Sequence, residues 1–117
     1  MTTTEQGDVV LVNYPTTDLR ATKKRPAVVI SSSAYNRESL DCVVVPVTSR
    51  INRAPSPYEV LVDGYDQAEA GLYKPSLVKA GVLFTIEQGM IQRSIGSTPK
   101  LLLEKILTAV GDVLAIG

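Results

Sequence analysis

The chain has 117 residues, of which 44% are apolar and 21% charged, and its formal net charge is zero. That balance fits one domain with its own core and excludes a disordered chain and a membrane span, which needs roughly 18 consecutive apolar residues. One cysteine and no histidine further exclude an intrachain disulfide, histidine-dependent triads and nucleases, and the common zinc sites.

Residues 1–6 (MTTTEQ) carry neither a basic region nor an apolar stretch. They do not read as a signal peptide and are expected to form a frayed tail on a single domain spanning 1–117. Gly7–Tyr14 (GDVVLVNY) is dense in valine and leucine and reads as a first strand. Pro15–Lys24 is polar and turn-rich, an exposed connection. Pro26–Ser32 is a second strand, Asp41–Thr48 a third, and Tyr58–Asp63 a fourth, bounded by Ala54-Pro55-Ser56-Pro57 and Gly64. Cys42 sits in the third among valines, where a small buried apolar residue is the plain reading. Strands this short and apolar are buried on both faces or closed into a barrel, and the turn spacing favours antiparallel pairing.

Ser76–Lys79 and Met90–Ile95 read as further short strands, joined through 83–88 (LFTIEQ), whose type the pattern does not decide. Ser97-Thr98-Pro99 then supplies a capping hydroxyl and a proline in the first turn of a helix. Leu103, Ile106, Leu107, Val110, Val113 and Leu114 fall on one face of that helix. The expected architecture is mostly β: a small, strongly bent antiparallel barrel carrying one C-terminal helix.

Zero net charge argues against a nucleic-acid partner only until the charges are placed. Seven basic residues lie between Arg20 and Arg53 against two acids, Glu38 and Asp41, whereas Tyr58–Gly71 holds four acids and no base. Charge separated in this way can present a basic face to phosphate, or can serve solubility alone.

Two residues stand out by position. Arg25 immediately precedes Pro26, which biases it toward extended backbone and fixes it at the mouth of the second strand. From there a guanidinium offers a planar donor fork to phosphate. Thr48 closes the third strand. Pro46 cannot donate to a ladder, so an edge, a bulge or a strand end is expected beside it. Thr48 and Ser49 would then emerge from the core, with Arg50 and Arg53 placed for the next phosphates. By itself Thr48 is also an ordinary β-former at a turn. The first connection adds Thr16, Asp18, Arg20, Lys23 and Lys24, and GLYKPS adds Tyr73, Lys74 and Ser76, with Lys79 further along. Tyr14, Tyr35 and Tyr73 are candidate stacking platforms for bases.

Together, GDVVLVNYPTTDL, KKRPAVVIS, Tyr35-Asn36, VVVPVTS, GLYKPSLVK, LFTIEQGMIQRSIG and the closing helix resemble the MazF/PemK (Kid-like) toxin family of toxin–antitoxin systems. The resemblance spans essentially the whole chain in the family's order. It implies an SH3-like barrel and a metal-independent, cytoplasmic endoribonuclease that needs no cofactor and acts on single-stranded messenger RNA. It further implies a homodimer and a cognate antitoxin whose tail covers the basic site. On this resemblance Arg25 matches the catalytic arginine of the family's RP motif and Thr48 its catalytic threonine. Lys74 falls where Kid-like members have an arginine and Ser76 where they have an active-site aspartate. Arg20 lies in the loop where many members carry a glutamate. These departures leave open two other readings on the same barrel. One is a non-catalytic toxin of the gyrase-poisoning kind; the other is a degenerate member that binds only antitoxin or nucleic acid. Asp18 is the nearest acid for proton transfer.

Overall fold

The computed structural model describes residues 4–15 and 22–116. Among them run seven strands: β1 (Asp8–Pro15), β2 (Thr22–Val29), β3 (Asp41–Thr48), β4 (Glu59–Val62), β5 (Ser76–Lys79), β6 (Phe84–Glu87) and β7 (Ile91–Ser97). Three helices accompany them: α1 (Ser33–Glu38), α2 (Gly64–Glu69) and α3 (Lys100–Leu114). The strands form one antiparallel sheet in the order β4-β5-β3-β2-β1-β7, with β6 pairing along the first half of β3. The sheet is strongly bent but open, so the expected barrel is not closed by strand pairing.

The valine-rich strands are explained by burial on both faces. Val9, Val28, Val45, Val47, Val62 and Val78 pack with Leu102, Ile106, Ala109 and Val110 of α3 in the larger core cluster. The alternate residues Val10, Val12, Ala27, Val29, Cys42 and Val44 form a second cluster, closed by Ile86 and Ile91. Burial pushes the Cys42 thiol upward from its ordinary pKa, as suits a small core residue.

Several expectations are corrected. The undecided segment 83–88 contains β6, which pairs with Asp41–Val44. β2 begins at Thr22 rather than Pro26, because Thr22–Arg25 pair with Val12–Pro15 of the long first strand. Polar side chains do not prevent this, since the ladder is made by backbone groups. Helices α1 and α2 had no apolar periodicity to announce them; α1 is capped by Ser32, whose hydroxyl accepts from the Tyr35 N–H at 3.1 Å. The Thr98 hydroxyl does not cap α3 but donates to the Gly7 carbonyl at 2.9 Å, and Pro99 takes the cap position. The helix buries Leu102 and Ala109 as well as Ile106 and Val110, and leaves Leu114 half exposed, so its inner face is rotated from the expected stripe. Residues 4–6 are tied down rather than frayed. Thr4 donates twice to the Gln88 side chain, Gln6 bonds Ser33 and Ile30, and buried Asn36 donates to the Thr4 carbonyl.

Pro46 lies inside β3, where β6 has ended and β5 begins: β6 pairs Asp41–Val44 and β5 pairs Val47 and Thr48. A residue without an N–H fits that gap.

Two bulges in the β1–β7 ladder, between Val9 and Val10 and between Leu11 and Val12, bend the end of the sheet. Glycine is required where α2 meets β7. A Cβ on Gly96 would lie 2.5 Å from the Glu69 carbonyl oxygen, and one on Gly71, at φ +74°, would lie 1.9 Å from that of Ile95. Gly96→Ala is therefore expected to destabilise the fold by about 2 kcal/mol or more. Gly89→Ala, which meets nothing within 4 Å, should change stability by less than about 0.5 kcal/mol. Parallel denaturant titrations of the two variants check this contrast.

Candidate active site at the ends of β2 and β3

The β2–β3 ladder joins Val29 to Val44, Val28 to Val45 and Ala27 to Pro46. Continuing this register two steps places Arg25 opposite Thr48, and two more place Lys23 opposite Arg50. Residues two apart on a strand share a face, so these four side chains project from the same side of the separating strand ends. Arg25 and Thr48 together line two adjoining clefts. One, about 390 Å³, also takes in Arg50, Arg53, Glu59 and Lys79. The other, about 180 Å³, takes in Lys23, Ser49 and Arg50.

Each side chain is held differently. Thr48 is half-buried, and its backbone is fixed by pairing with Leu77 of β5. Its Oγ1 accepts from the Arg50 N–H at 3.1 Å, a turn-forming bond that uses a lone pair and leaves the hydroxyl proton to be donated. Arg25 is exposed, flanked in sequence by half-buried Pro26. A donor fork facing a donating hydroxyl across a cationic cleft can hold two oxygens of one phosphate.

A family model described as PemK-like, MazF-like toxin of type II toxin–antitoxin system matches residues 5–114. The chain belongs to that family. A comparison with curated protein sequences finds no match. Among solved structures, MazE–MazF (Form-II) from Deinococcus radiodurans is 22% identical over 100% of both chains, with a TM-score of 0.80. An endoribonuclease in complex with its cognate antitoxin from a mycobacterial species is 21% identical, covers 97% of each chain and has a TM-score of 0.80. A further endoribonuclease from a mycobacterial species is 22% identical over 99% of this chain and 95% of that one, at a TM-score of 0.79. At such identities the likeness is one of fold, a bent sheet with a C-terminal helix.

The remaining candidates in this toxin fall into groups. Thr16, Asp18 and Arg20 lie outside the described residues. Lys24 is exposed but alternates to the opposite side of β2 from Lys23 and Arg25. Lys74 and Ser76 line a third cleft, of about 410 Å³, which shares Val47 and Ser49 with the smaller Arg25–Thr48 cleft. Ser76 is buried and donates its hydroxyl to the Lys74 carbonyl at 2.9 Å, so it backs the exposed Lys74 rather than facing a ligand. Of the tyrosines, Tyr73 lines the third cleft, while Tyr35 on α1 lines none of these three.

The expected separation of charge does not survive folding. Glu59, from the acidic stretch, enters the basic cleft and takes both Arg53 nitrogens, at 2.7 and 3.1 Å, while also accepting from the Ser56 N–H. Arg53 is thereby largely neutralised as a phosphate ligand. The prolines lie in the turn between the two residues, which brings the start of β4 back to Arg53; that turn was visible in the sequence, although the pairing was not. Asn52 in the larger cleft and Arg93 in the third were also missed, since neither stands in a recognisable motif.

The hydrogen bonds from Arg53, and then from the Ser56 backbone, hold the Glu59 carboxyl at a pKa of about 2, down from its ordinary 4.5. A depressed acid stabilises the fold fully above its unfolded pKa and loses that contribution as pH falls through the folded value. The stability difference between wild type and Glu59→Gln should thus be constant above about pH 4.5 and shrink progressively toward pH 2. Denaturant midpoints measured across that range test the sign.

Proposed function

We propose that this toxin is a metal-independent endoribonuclease that cleaves single-stranded RNA at the cleft between Arg25 and Thr48. The observation that supports this reading is their register: the two residues fall opposite each other past the last rung of the β2–β3 ladder and line the same clefts. The endoribonucleases of similar fold agree with it.

In the proposed reaction the ribose 2′-oxygen attacks the adjacent phosphorus and loses its proton. The bond from phosphorus to the 5′-oxygen breaks, and that oxygen takes up a proton. The products are a 2′,3′-cyclic phosphate and a 5′-hydroxyl. The nucleophile is part of the substrate, so much of the rate comes from holding it in line. Arg25 neutralises the charge that builds on the non-bridging oxygens, where preorganised donors contribute most. Thr48 donates to one of those oxygens and fixes the phosphate's rotation. Lys23, Ser49, Arg50, Lys74 and Lys79 hold neighbouring phosphates, while Arg53 contributes weakly as long as Glu59 holds it. RNA is the favoured substrate because only RNA carries the attacking hydroxyl, and a single strand offers unstacked bases and an accessible backbone. The toxin acts in the cytoplasm as a homodimer, and a cognate antitoxin, as in the complexes of similar fold, neutralises it by covering this cationic surface.

Cleavage of a long single-stranded RNA in EDTA should leave 5′-hydroxyl ends. Arg25→Ala should be slower by about 10²–10³-fold and Thr48→Val by at least about ten-fold. Retained cleavage in both variants, with the fold intact by circular dichroism, would sink the assignment. Binding of uncleaved RNA by Arg25→Ala should weaken with salt, at a log–log slope of about −0.7 for each phosphate contacted. Arg50→Ala should make that slope shallower.

A further inference from the structure

The third cleft has a purpose that phosphate chemistry leaves unfilled. Its floor is a row crossing four strands: Arg93 of β7 pairs with Leu11 of β1, and Leu11 with Pro26 of β2. The β2–β3 register carries the row on to Val47. Arg93 and Ser94 pair in regular register with Leu11 and Val10 between the two bulges, and both residues line the cleft. Its wall is the segment after α2, held close to Ile95 by Gly71, where Tyr73 stands 96% exposed. Val47 and Ser49 line both cavities, so this cleft meets the smaller Arg25–Thr48 cleft around the end of β3, although Pro26 and Val47 alternate to the opposite sheet face from Arg25 and Thr48.

We propose that this cleft is a nucleobase subsite that takes guanine beside the scissile phosphate, with Arg93 as the specificity-determining residue and Tyr73 as the stacking face. The inference rests on the ribonuclease reading above. A volume of about 410 Å³ lies in the range of small-ligand sites. An apolar floor edged by an exposed aromatic suits a flat ring, since every base has a π-face. Among the described residues the charged side chains lining the cleft are Lys74 and Arg93, with no carboxylate, so the site offers donors and selects an edge made of acceptors. Guanine presents O6 and N7 side by side, matching the guanidinium fork. Adenine sets an amino donor beside N7, and cytosine carries an amino donor on the corresponding edge. An acidic peptide would satisfy the two cations but leave the apolar floor and Tyr73 unused.

The test compares cleavage rates, site by site, on one long transcript made with guanosine or with 7-deazaguanosine, which lacks the N7 acceptor. Wild-type cut sites should share a guanine at one fixed position beside the cut, and the 7-deaza transcript should be cut about ten-fold more slowly there. Arg93→Lys keeps the charge but loses the fork, and should cut the two transcripts at similar per-site rates. Equal rates by wild type, or an undiminished guanine preference in Arg93→Lys, overturns the subsite. If wild type cuts neither transcript, the ribonuclease reading fails on its own account. Filter retention of the same two transcripts then decides the subsite: preferential retention of the guanosine form, lost in Arg93→Lys, upholds it, and equal retention by wild type overturns it.

Discussion

The register between β2 and β3 is the constraint on which the site depends. It ends at the Ala27–Pro46 rung, and Pro26, just beyond it, has no N–H to extend the ladder. Past that rung β2 stays paired with β1 and β3 with β5, so each strand end is still held from its other side. Arg25 and Thr48 stand where the parting begins, anchored on one side and open on the other. A slip of one residue would turn Arg25 to the face that now carries Val28 and Val45, and the larger core cluster would have to accept a charge. Burial on both faces of the sheet makes such a slip costly. The same packing that stabilises the fold thus aligns the cationic and hydroxyl side chains.

Charge in the cleft is balanced rather than maximal. Arg25, Arg50 and Lys79 face it alongside one carboxylate, Glu59, whose two oxygens are taken by Arg53. The paired arginine is half exposed, while the Glu59 side chain is only 7% exposed. This geometry braces the turn between β3 and β4 more than it attracts phosphate. With Arg53 held, the proposed phosphate contacts in this cleft fall to Arg25, Arg50 and Lys79.

The third cleft exists because two elements approach closer than side chains permit. Gly71 and Gly96 let the end of α2 lie against β7, where Arg93 and Ser94, paired with Leu11 and Val10 between two bulges, line the cleft. Pocket and phosphate site meet at Val47 and Ser49, consecutive same-face positions at the end of β3. A dinucleotide laid across that strand end would have its phosphate on one side and a base on the other.

Much of this was legible from the residues alone. The valine runs announced the central strands, Arg25 and Thr48 stood out by their places beside Pro26 and after Pro46, and the apolar positions after Pro99 announced the last helix. These signals are local: burial fixes residue type at a period of two or near 3.6, whatever the partner strand is. The two short helices lacked such a period, and β6 was too brief to be told from a loop. What no local signal carried was which distant side chains would meet. Glu59 joined Arg53, Ser76 turned inward, Thr98 bonded Gly7 instead of capping its helix, and Arg93 joined the third cleft through its pairing with Leu11 of β1. Sequence determined which strands form and which residues stand at their ends; the tertiary structure alone decided their companions, because register, bulges and close backbone approach are properties of strand pairs rather than of strands.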